Sequence, residues 1–347
     1  FLTFFAIICS IGLAPINDAY AAVDTWTDAT TTNVGSTQMR AVSMTDASNG
    51  VAVGYSGKIV RTTNGGVTWT AAATFGGIGG SHINGVSMSD ASNGVAVGYH
   101  GKIVFTTNGG VDWTAATTTN VGTSIVMYGV SMSDASNGVA VGSTGTIVYT
   151  SDGGVTWTAA ATTNVGTTNM YGVSMSDASN GVAVGYSGKI VRTTNGGVTW
   201  TAATTTNVGS TQMIGVSMSD ASNGVAVGAS GQIVFTTNGG VVWTDAATTN
   251  VGITHMRAVS MSDASNGVAV GDSGQIVFTT NGGVDWTAAA TTNVGSTQMM
   301  GVSMTDASNG VAVGLAGQIV FTVTAATTDT PTKKSSSDCY DCKPPVL

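Results

Sequence analysis

The nine residues D-A-S-N-G-V-A-V-G at positions 46–54 occur seven times in this chain without a change. The copies begin at Asp46, Asp90, Asp134, Asp177, Asp220, Asp263 and Asp306. Successive copies start 43 or 44 residues apart. A period of about 40–45 residues is typical of repeats that each form one four-stranded sheet. The spacing therefore predicts seven similar structural units.

Each copy predicts four short strands, A to D, separated by turns. In the fourth copy we expect them at residues 171–176, 182–185, 189–193 and 198–202. Asn-Gly within D-A-S-N-G is typical of a two-residue hairpin turn, because both residues tolerate positive φ. Strands of four to six residues between such turns exclude a helical solenoid.

The tryptophans indicate how the units join. Six copies carry one in strand D: Trp69, Trp113, Trp157, Trp200, Trp243 and Trp286. The seventh copy lacks one, but Trp26 precedes the first strand A. We therefore predict that residues 23–27 supply strand D of the last unit, which leaves no free sheet edge. The fold is predicted to be an all-β, seven-bladed β-propeller spanning residues 22–324, with four-stranded blades.

Composition excludes several classes of function. The 347 residues contain 10 Lys and Arg, 18 Asp and no Glu, and the net charge is −8. This charge excludes binding of nucleic acid through a basic surface. A hydrophobic fraction of 42% with only 8% charged residues argues against a disordered acidic chain. Met44 and its equivalents recur once per strand A, which indicates packing between blades rather than a cofactor site. No cofactor is expected.

The two ends are expected to lie outside the propeller. Residues 1–13 are an apolar run too short to span a bilayer, and A-Y-A follows at 19–21. Residues 1–21 therefore predict a signal peptide, truncated at its start, with a membrane anchor as the alternative. Export to the exterior, periplasm or a lumen is expected. In the polar tail, residues 325–347, Cys339 and Cys342 predict a disulfide within or between chains, because further metal ligands are missing nearby.

The segments joining strands C and D carry a recognisable motif. T-T-N-G-G-V-T-W at 62–69 and T-S-D-G-G-V-T-W at 150–157 resemble the Asp-box. Its Asp or Asn positions are Asn64, Asn108, Asp152, Asn195, Asn238 and Asn281. Over about residues 23–322 the repeat resembles the photosystem II stability/assembly factor type of bacterial-neuraminidase-repeat propeller. That resemblance implies a propeller with structural Asp-boxes and, in photosynthetic members, assistance in assembling a membrane complex from the lumenal side.

The copies differ mainly at positions that we expect on one face. The D–A and B–C connections of a four-stranded up-and-down blade share one rim. One variable column, at the start of strand A, is Arg40, Asn84, Tyr128, Tyr171, Ile214, Arg257 and Met300. Another, two residues earlier, is Gln38, His82, Val126, Asn169, Gln212, His255 and Gln298. The B–C turn varies at Tyr55, Tyr99, Ser143, Tyr186, Ala229, Asp272 and Leu315, and at the residue that follows each of these.

These columns predict a recognition surface. An asymmetric partner needs different side chains at equivalent positions, and Tyr, Arg and Met are favoured at interfaces. Neutral drift at exposed loops is the alternative. The predicted partner-binding residues are Arg40, Tyr55, Asn84, Tyr99, His100, Tyr128, Tyr171, Tyr186, Ile214, Arg257, Asp272 and Met300.

Catalysis is not expected. A sialidase needs an arginine cluster and a Tyr–Glu pair, whereas this chain has four scattered arginines and no Glu. A glycosidase with two aspartates is disfavoured, because seven Asp occupy one turn position where side-chain capping explains them. Those seven are too widely spaced to hold one cation, and His82 and His100 lack a third metal ligand.

The sequence therefore predicts an exported, monomeric, non-enzymatic propeller that binds a protein or glycan through its D–A/B–C face. Neither nucleic acid nor direct membrane contact is expected. The alternatives are a photosystem II assembly or stability factor and a glycan-binding, lectin-like propeller, with a glycoside hydrolase the least favoured.

Overall fold

A computed structural model describes residues 25–118, 121–204, 208–248, 251–289 and 294–322. These residues form seven antiparallel sheets of four strands each, and blade 2 carries a fifth, parallel strand, Thr74–Phe75. The predicted all-β, seven-bladed propeller is confirmed. The predicted signal peptide and the Cys339–Cys342 pair lie outside the described residues. Within those ranges, no helix is both long and apolar enough to cross a membrane.

Blades are numbered 1 to 7 in the order of their strands A, which lie innermost. Strands A are Met39–Met44, Ile83–Met88, Met127–Met132, Met170–Met175, Met213–Met218, Met256–Met261 and Met299–Met304. Strands B are Gly50–Gly54, Gly94–Gly98, Gly138–Gly142, Gly181–Gly185, Gly224–Gly228, Gly267–Gly271 and Gly310–Gly314. Strands C are Ile59–Thr62, Ile103–Thr106, Ile147–Thr150, Ile190–Thr193, Ile233–Thr236, Ile276–Thr279 and Ile319–Thr322.

The outer strands D and the B–C turns complete the blades. Strands D of blades 1 to 6 are Thr70–Ala71, Asp112–Ala115, Thr158–Ala159, Thr201–Ala202, Thr244–Asp245 and Thr287–Ala288, and blade 7 takes Thr27–Asp28. Each B–C turn is a tight turn whose last two residues have positive φ: Tyr55–Gly57, Tyr99–Gly101, Ser143–Gly145, Tyr186–Gly188, Ala229–Gly231, Asp272–Gly274 and Leu315–Gly317. The middle residue of every turn has a φ between 53° and 59°, although none is glycine.

The N-terminal segment closes the ring as predicted. Thr27 and Asp28 pair with Phe321 and Val320 of strand C in blade 7. Trp26 is 2% exposed and packs with Met299 of blade 7 and with the valines of blade 6. The last blade is therefore built from both ends of the described chain.

A second set of contacts runs around the inner ring. In each strand A, the backbone N–H of the last methionine donates a hydrogen bond to a serine Oγ of the preceding blade, at 2.9–3.0 Å. That serine directly precedes the last methionine of its own strand A. Met88 bonds Ser43 in this way, and Met44 bonds Ser303 to close the circle. These methionines pack between blades as predicted, Met88 lying against Val51 and Val53 of blade 1.

The A–B turn differs from the predicted two-residue hairpin. Neither Asn49 nor Gly50 has a positive φ in the structure. Instead, the Asp46 carboxylate accepts hydrogen bonds from the backbone N–H groups of Ser48, at 2.7 Å, and Asn49, at 2.8 Å. The hairpin prediction was wrong because this side-chain cap sets the turn geometry, whereas the predicted capping role of the aspartates is confirmed. A Cβ at position 50 would overlap Met44 Sδ, so alanine there would require the methionine side chain to move.

The C–D turn explains why strand D is shorter than predicted. In blade 1, Asn64 Oδ1 accepts hydrogen bonds from the Thr68 N–H and the Thr62 hydroxyl, both at 3.0 Å. Gly66 N–H also donates to Thr62 Oγ1, at 3.0 Å. Because these bonds hold the residues before Trp69 in the turn, only two residues remain to pair as strand D in all blades except blade 2.

The position of Asn64 in this turn can hold Asp or Asn, depending on the residue four positions later. Asn64 Nδ2 donates to the Thr68 hydroxyl, and Asn108 Nδ2 donates to the Asp112 carboxylate, both at 2.9 Å. Where the first residue is Asp152, the Thr156 hydroxyl donates instead. Burial alone would raise the pKa of Asp152, but this bond and the Thr156 N–H hold that pKa below its usual range. A hydroxyl partner therefore suits either residue, and a carboxylate partner requires Asn.

Asn108→Asp is expected to destabilise the protein by about 1–2 kcal/mol at neutral pH, because it places a carboxylate against Asp112 and removes a hydrogen bond. The two adjacent carboxyl groups would have a raised pKa in the folded state, so the loss of folding stability should diminish as pH falls through that pKa. Asn64→Asp is the matched control, since the Thr68 hydroxyl can donate to it. Urea unfolding at several pH values measures both, and equal losses at neutral pH would contradict this account.

Candidate functional site

The first variable column consists of β-bulge residues. In every blade the pairing between strands A and B slips by one residue near the start of strand A. In blade 1, Met39 pairs with Gly54 and Ala41 pairs with Val53, which leaves Arg40 as the extra residue. A bulge redirects the side chain that it carries. Seven bulges therefore place this column around the central channel.

These side chains gather at one end of the channel. A cavity of about 250 Å³, called here the channel mouth, is lined by Arg40, Asn84, Tyr99, Tyr128, Tyr171, Gln212, Ile214, Arg257 and Met300. A second cavity of about 200 Å³ is lined by strands A of all seven blades and shares six of those residues. The channel mouth opens on the face that carries the D–A and B–C connections, as predicted.

Two arginines at equivalent positions have different partners. Arg257 forms a salt bridge with Asp272 of its own B–C turn, with Nε–Oδ1 and Nη2–Oδ2 distances of 2.8 and 3.0 Å. Burial alone would raise the pKa of Asp272, but the bonds from Arg257 and Gln298 hold it below the usual range. Arg40 instead donates to the phenol oxygen of Tyr55, and its Cζ lies 4.7 Å from the centre of that ring.

Arg40 therefore has no carboxylate partner in the described part of the chain. Its Nε is buried there and has no hydrogen-bond partner. A buried donor of this kind has a cost in free energy unless a ligand or water accepts from it. Arg40 is thus a guanidinium at the channel mouth that no carboxylate of the described residues neutralises.

Aromatic side chains cover the part of the mouth formed by blades 2 to 4. The rings of Tyr128 and Tyr171, from adjacent blades, lie 5.1 Å apart at 56°. Burial, followed by the nearby phenols of Tyr171 and Tyr99, raises the pKa of Tyr128. Tyr128 therefore stays neutral at physiological pH, and both rings present aromatic surface to the cavity.

Three residues of the second variable column connect neighbouring blades. His82 Nδ1 accepts the Ser56 N–H at 3.1 Å, Asn169 Oδ1 accepts the Thr144 N–H at 2.9 Å, and His255 Nδ1 accepts the Ser230 N–H at 3.0 Å. In each case the donor is the middle residue of the preceding blade's B–C turn. At these three positions the column has a structural role that its sequence variation did not reveal.

The two faces of the propeller differ in charge. Of the seven Lys and Arg side chains in the described ranges, five lie on the D–A/B–C face: Arg40, Lys58, Lys102, Lys189 and Arg257. Of the thirteen Asp in those ranges, ten lie at or beside the A–B and C–D turns of the opposite face. The face with the channel mouth is therefore the more cationic one, although the chain as a whole is acidic.

Eight of the twelve predicted partner-binding residues line the channel mouth: Arg40, Asn84, Tyr99, Tyr128, Tyr171, Ile214, Arg257 and Met300. Tyr55 and Asp272 hold the two arginines. His100 lies beside Tyr99, with ring centres 6.4 Å apart, and Tyr186 is 55% exposed. Sequence reasoning did not select Gln212 or His82, although both stand in a variable column. No group of three potential ligands could hold a metal ion in the described ranges.

Solved structures share this fold. A structure described as YCF48 bound to D1 peptide has a TM-score of 0.69 and 17% identity, covering 87% of this chain and 95% of that one. YCF48 from Cyanidioschyzon merolae has a TM-score of 0.68 and 18% identity, covering 86% and 98%. A streptogramin B lyase structure scores 0.69 at 14% identity, covering 86% and 97%. At these identities the likeness shows the fold alone, and a comparison with curated proteins gave no match.

Family membership rests on the sequence itself. The family model for the photosynthesis system II assembly factor YCF48 matches residues 161–338, just over half of the chain. The chain therefore belongs to the family of the photosynthesis system II assembly factor YCF48.

Proposed function

We propose that this protein binds an extended segment of a partner protein at the channel mouth and catalyses no reaction. The observation that supports this most strongly is the ring of seven bulges, which brings different side chains to equivalent positions around one cavity. A scaffold needs one residue repeated seven times there, whereas recognition of an asymmetric ligand needs several.

The chemistry of the mouth suggests what the segment contains. Arg40 offers a guanidinium without a carboxylate partner among the described residues, which suits an anionic group. Tyr128 and Tyr171 offer aromatic surface for an apolar side chain close to it. We therefore propose a peptide with a carboxylate and an apolar or aromatic side chain.

The family supplies the first candidate partner. A solved structure with the same fold is described as bound to D1 peptide. A photosystem II protein segment is accordingly the first ligand to test, and assistance in assembling that complex is the corresponding cellular role. Export through removal of residues 1–21 fits such a role, and N-terminal sequencing of the mature protein would test it.

The proposal that the protein catalyses no reaction needs its own argument, because a streptogramin B lyase has the same fold. The nine residues lining the mouth include no carboxylate, imidazole or thiol, and Asp272 is held by Arg257. These nine residues provide binding groups, and none of them is a carboxylate or imidazole that could act as a general base. Turnover of a streptogramin by the purified protein would contradict the proposal.

Calorimetric titration tests the binding with two probes. One is the D1 peptide of the solved relative, and the other is a set of peptides selected from a random library. Arg40→Gln should weaken binding by at least about tenfold, since a hydrogen bond to a charged group is lost. Arg257→Gln is the matched control and should change affinity less, because Asp272 already neutralises Arg257. Tyr128→Ala with Tyr171→Ala should also lose at least about tenfold.

Two outcomes would contradict peptide binding. One is the failure of both probes to bind at millimolar concentration. The other is selective binding on a glycan array that disappears in the double tyrosine variant, which would indicate a lectin.

A further inference from the structure

His82 lies where two blades meet at the edge of the channel mouth. Its Nδ1 accepts the Ser56 N–H at 3.1 Å. Its ring stacks on Tyr55 of blade 1, with ring centres 4.1 Å apart at 20°, and meets the edge of Tyr99 of blade 2 at 5.2 Å. Tyr55 is the residue that holds Arg40. One imidazole therefore connects the B–C turn of blade 1 to the group proposed to bind the anion.

The hydrogen bond fixes the protonation of this imidazole. A backbone N–H can only donate, so Nδ1 must be unprotonated to accept from Ser56. When Nδ1 gains a proton it becomes a donor and the bond is lost. Ser56 has a φ of 53°, in the left-handed region, as the middle residue of every B–C turn does. In blade 1 the His82 ring adds a contact to this turn from the neighbouring blade.

The surroundings of His82 give no compensation for the added charge. The groups facing it are Tyr55 and Ser56 of the blade 1 turn and Tyr99 of the blade 2 turn, with His100 beside Tyr99. The guanidinium of Arg40 lies on the ring of Tyr55, which His82 also stacks on, and Lys58 follows the same turn, so the charges beside His82 are positive. No carboxylate bonds His82, Tyr55 or Arg40 in the part of the chain that the structure describes.

We propose that His82 is a pH-sensitive link, and that its protonation releases the blade 1 turn and displaces Tyr55 and Arg40 from the channel mouth. The effect on ligand binding rests on the proposed function, whereas the effect on the turn does not. Mildly acidic pH should therefore weaken binding of an anionic segment.

The chain itself supplies the control substitution. In blade 4 the equivalent position is Asn169, whose Oδ1 accepts the Thr144 N–H at 2.9 Å and does not titrate. His82→Asn should keep the link and remove its response to pH. His100→Asn and His255→Asn are matched histidine controls. His100 makes no bond to the blade 1 turn among the described contacts, and His255 links blades 5 and 6 beside Asp272.

The decisive measurement uses the full chain without ligand. Two-dimensional NMR follows the Ser56 amide between about pH 7.5 and pH 5.5, and its protection from hydrogen exchange should fall at least about tenfold in the wild type. His82→Asn should abolish that change, and the two other histidine variants should retain it. Unchanged Ser56 protection in the wild type, or the same change in His82→Asn, would overturn the proposal.

A second measurement connects the link to the ligand. Affinity for the D1 peptide or a library-selected peptide should fall several-fold over the same pH range in the wild type and stay constant in His82→Asn. If the Ser56 amide responds and affinity does not, the coupling to the site is wrong. If no peptide binds at any pH, the proposed function fails while the amide result still decides the switch.

Discussion

Deletion of residues 22–30 should give a protein that melts at lower temperature and associates into oligomers. The deletion removes strand D of blade 7, so the edge of strand C at Val320 and Phe321 becomes free to pair with another chain. It also removes Trp26, which is 2% exposed within the core between blades 6 and 7. Trp26→Ala alone should cost about 3–5 kcal/mol, the range for removing a buried aromatic side chain.

A matched variant separates the two effects of this deletion. Trp157→Ala removes an equally buried tryptophan within blade 3, where strand D remains continuous with strand C. It should lower the melting temperature without causing association. Calorimetry with light scattering after gel filtration measures both properties. An unchanged melting temperature after the deletion would show that the N-terminal strand does not close the ring in solution.

Gly145→Ala, in the B–C turn of blade 3, should be strongly destabilising. A Cβ at this position would overlap the carbonyl oxygen of Gly166, which is backbone and cannot move aside as a flexible side chain would. The φ of Gly145 is also 73°, which is strained for alanine. Together, overpacking and strain should cost about 3–5 kcal/mol.

The contact partner provides the control. Gly166 has a similar φ of 64°, but no atom lies within 4 Å of the position that an alanine Cβ would take there. Gly166→Ala should therefore cost only about 1–2 kcal/mol, from backbone strain. Chemical denaturation of the two variants compares them directly. Equal losses would show that the close approach between the blade 3 turn and the following loop does not persist in solution.

The blade number, ring closure and variable face were predictable because each depends on repetition. Seven identical turns give the count, and Trp26 identifies the missing strand without any knowledge of its neighbours. The placement of Tyr128 beside Tyr171 follows from the same logic, since equivalent positions of adjacent blades are close in a ring.

The remaining features depend on geometry that residue types do not report. Alternation along strand A does not reveal that Arg40 is a bulge residue, because the slip in register involves the partner strand as well. Identical arginines at 40 and 257 differ only through residues fifteen positions later, Tyr55 and Asp272. His82 stood in a variable column and was not selected, since nothing in the sequence shows that its ring meets the turn of another blade.

The serine–methionine contacts between strands A have an evolutionary consequence. Every junction uses the same donor and acceptor, including the one between Met44 and Ser303. A blade that is duplicated or moved by recombination therefore meets its new neighbours with the same complementary edges. The second variable column extends this compatibility at His82, Asn169 and His255. Each of these side chains accepts a hydrogen bond from the equivalent backbone N–H in the preceding blade's B–C turn. Gene rearrangement can thus reorder the side chains around the axis as whole modules, and new specificities can arise without redesign of the scaffold.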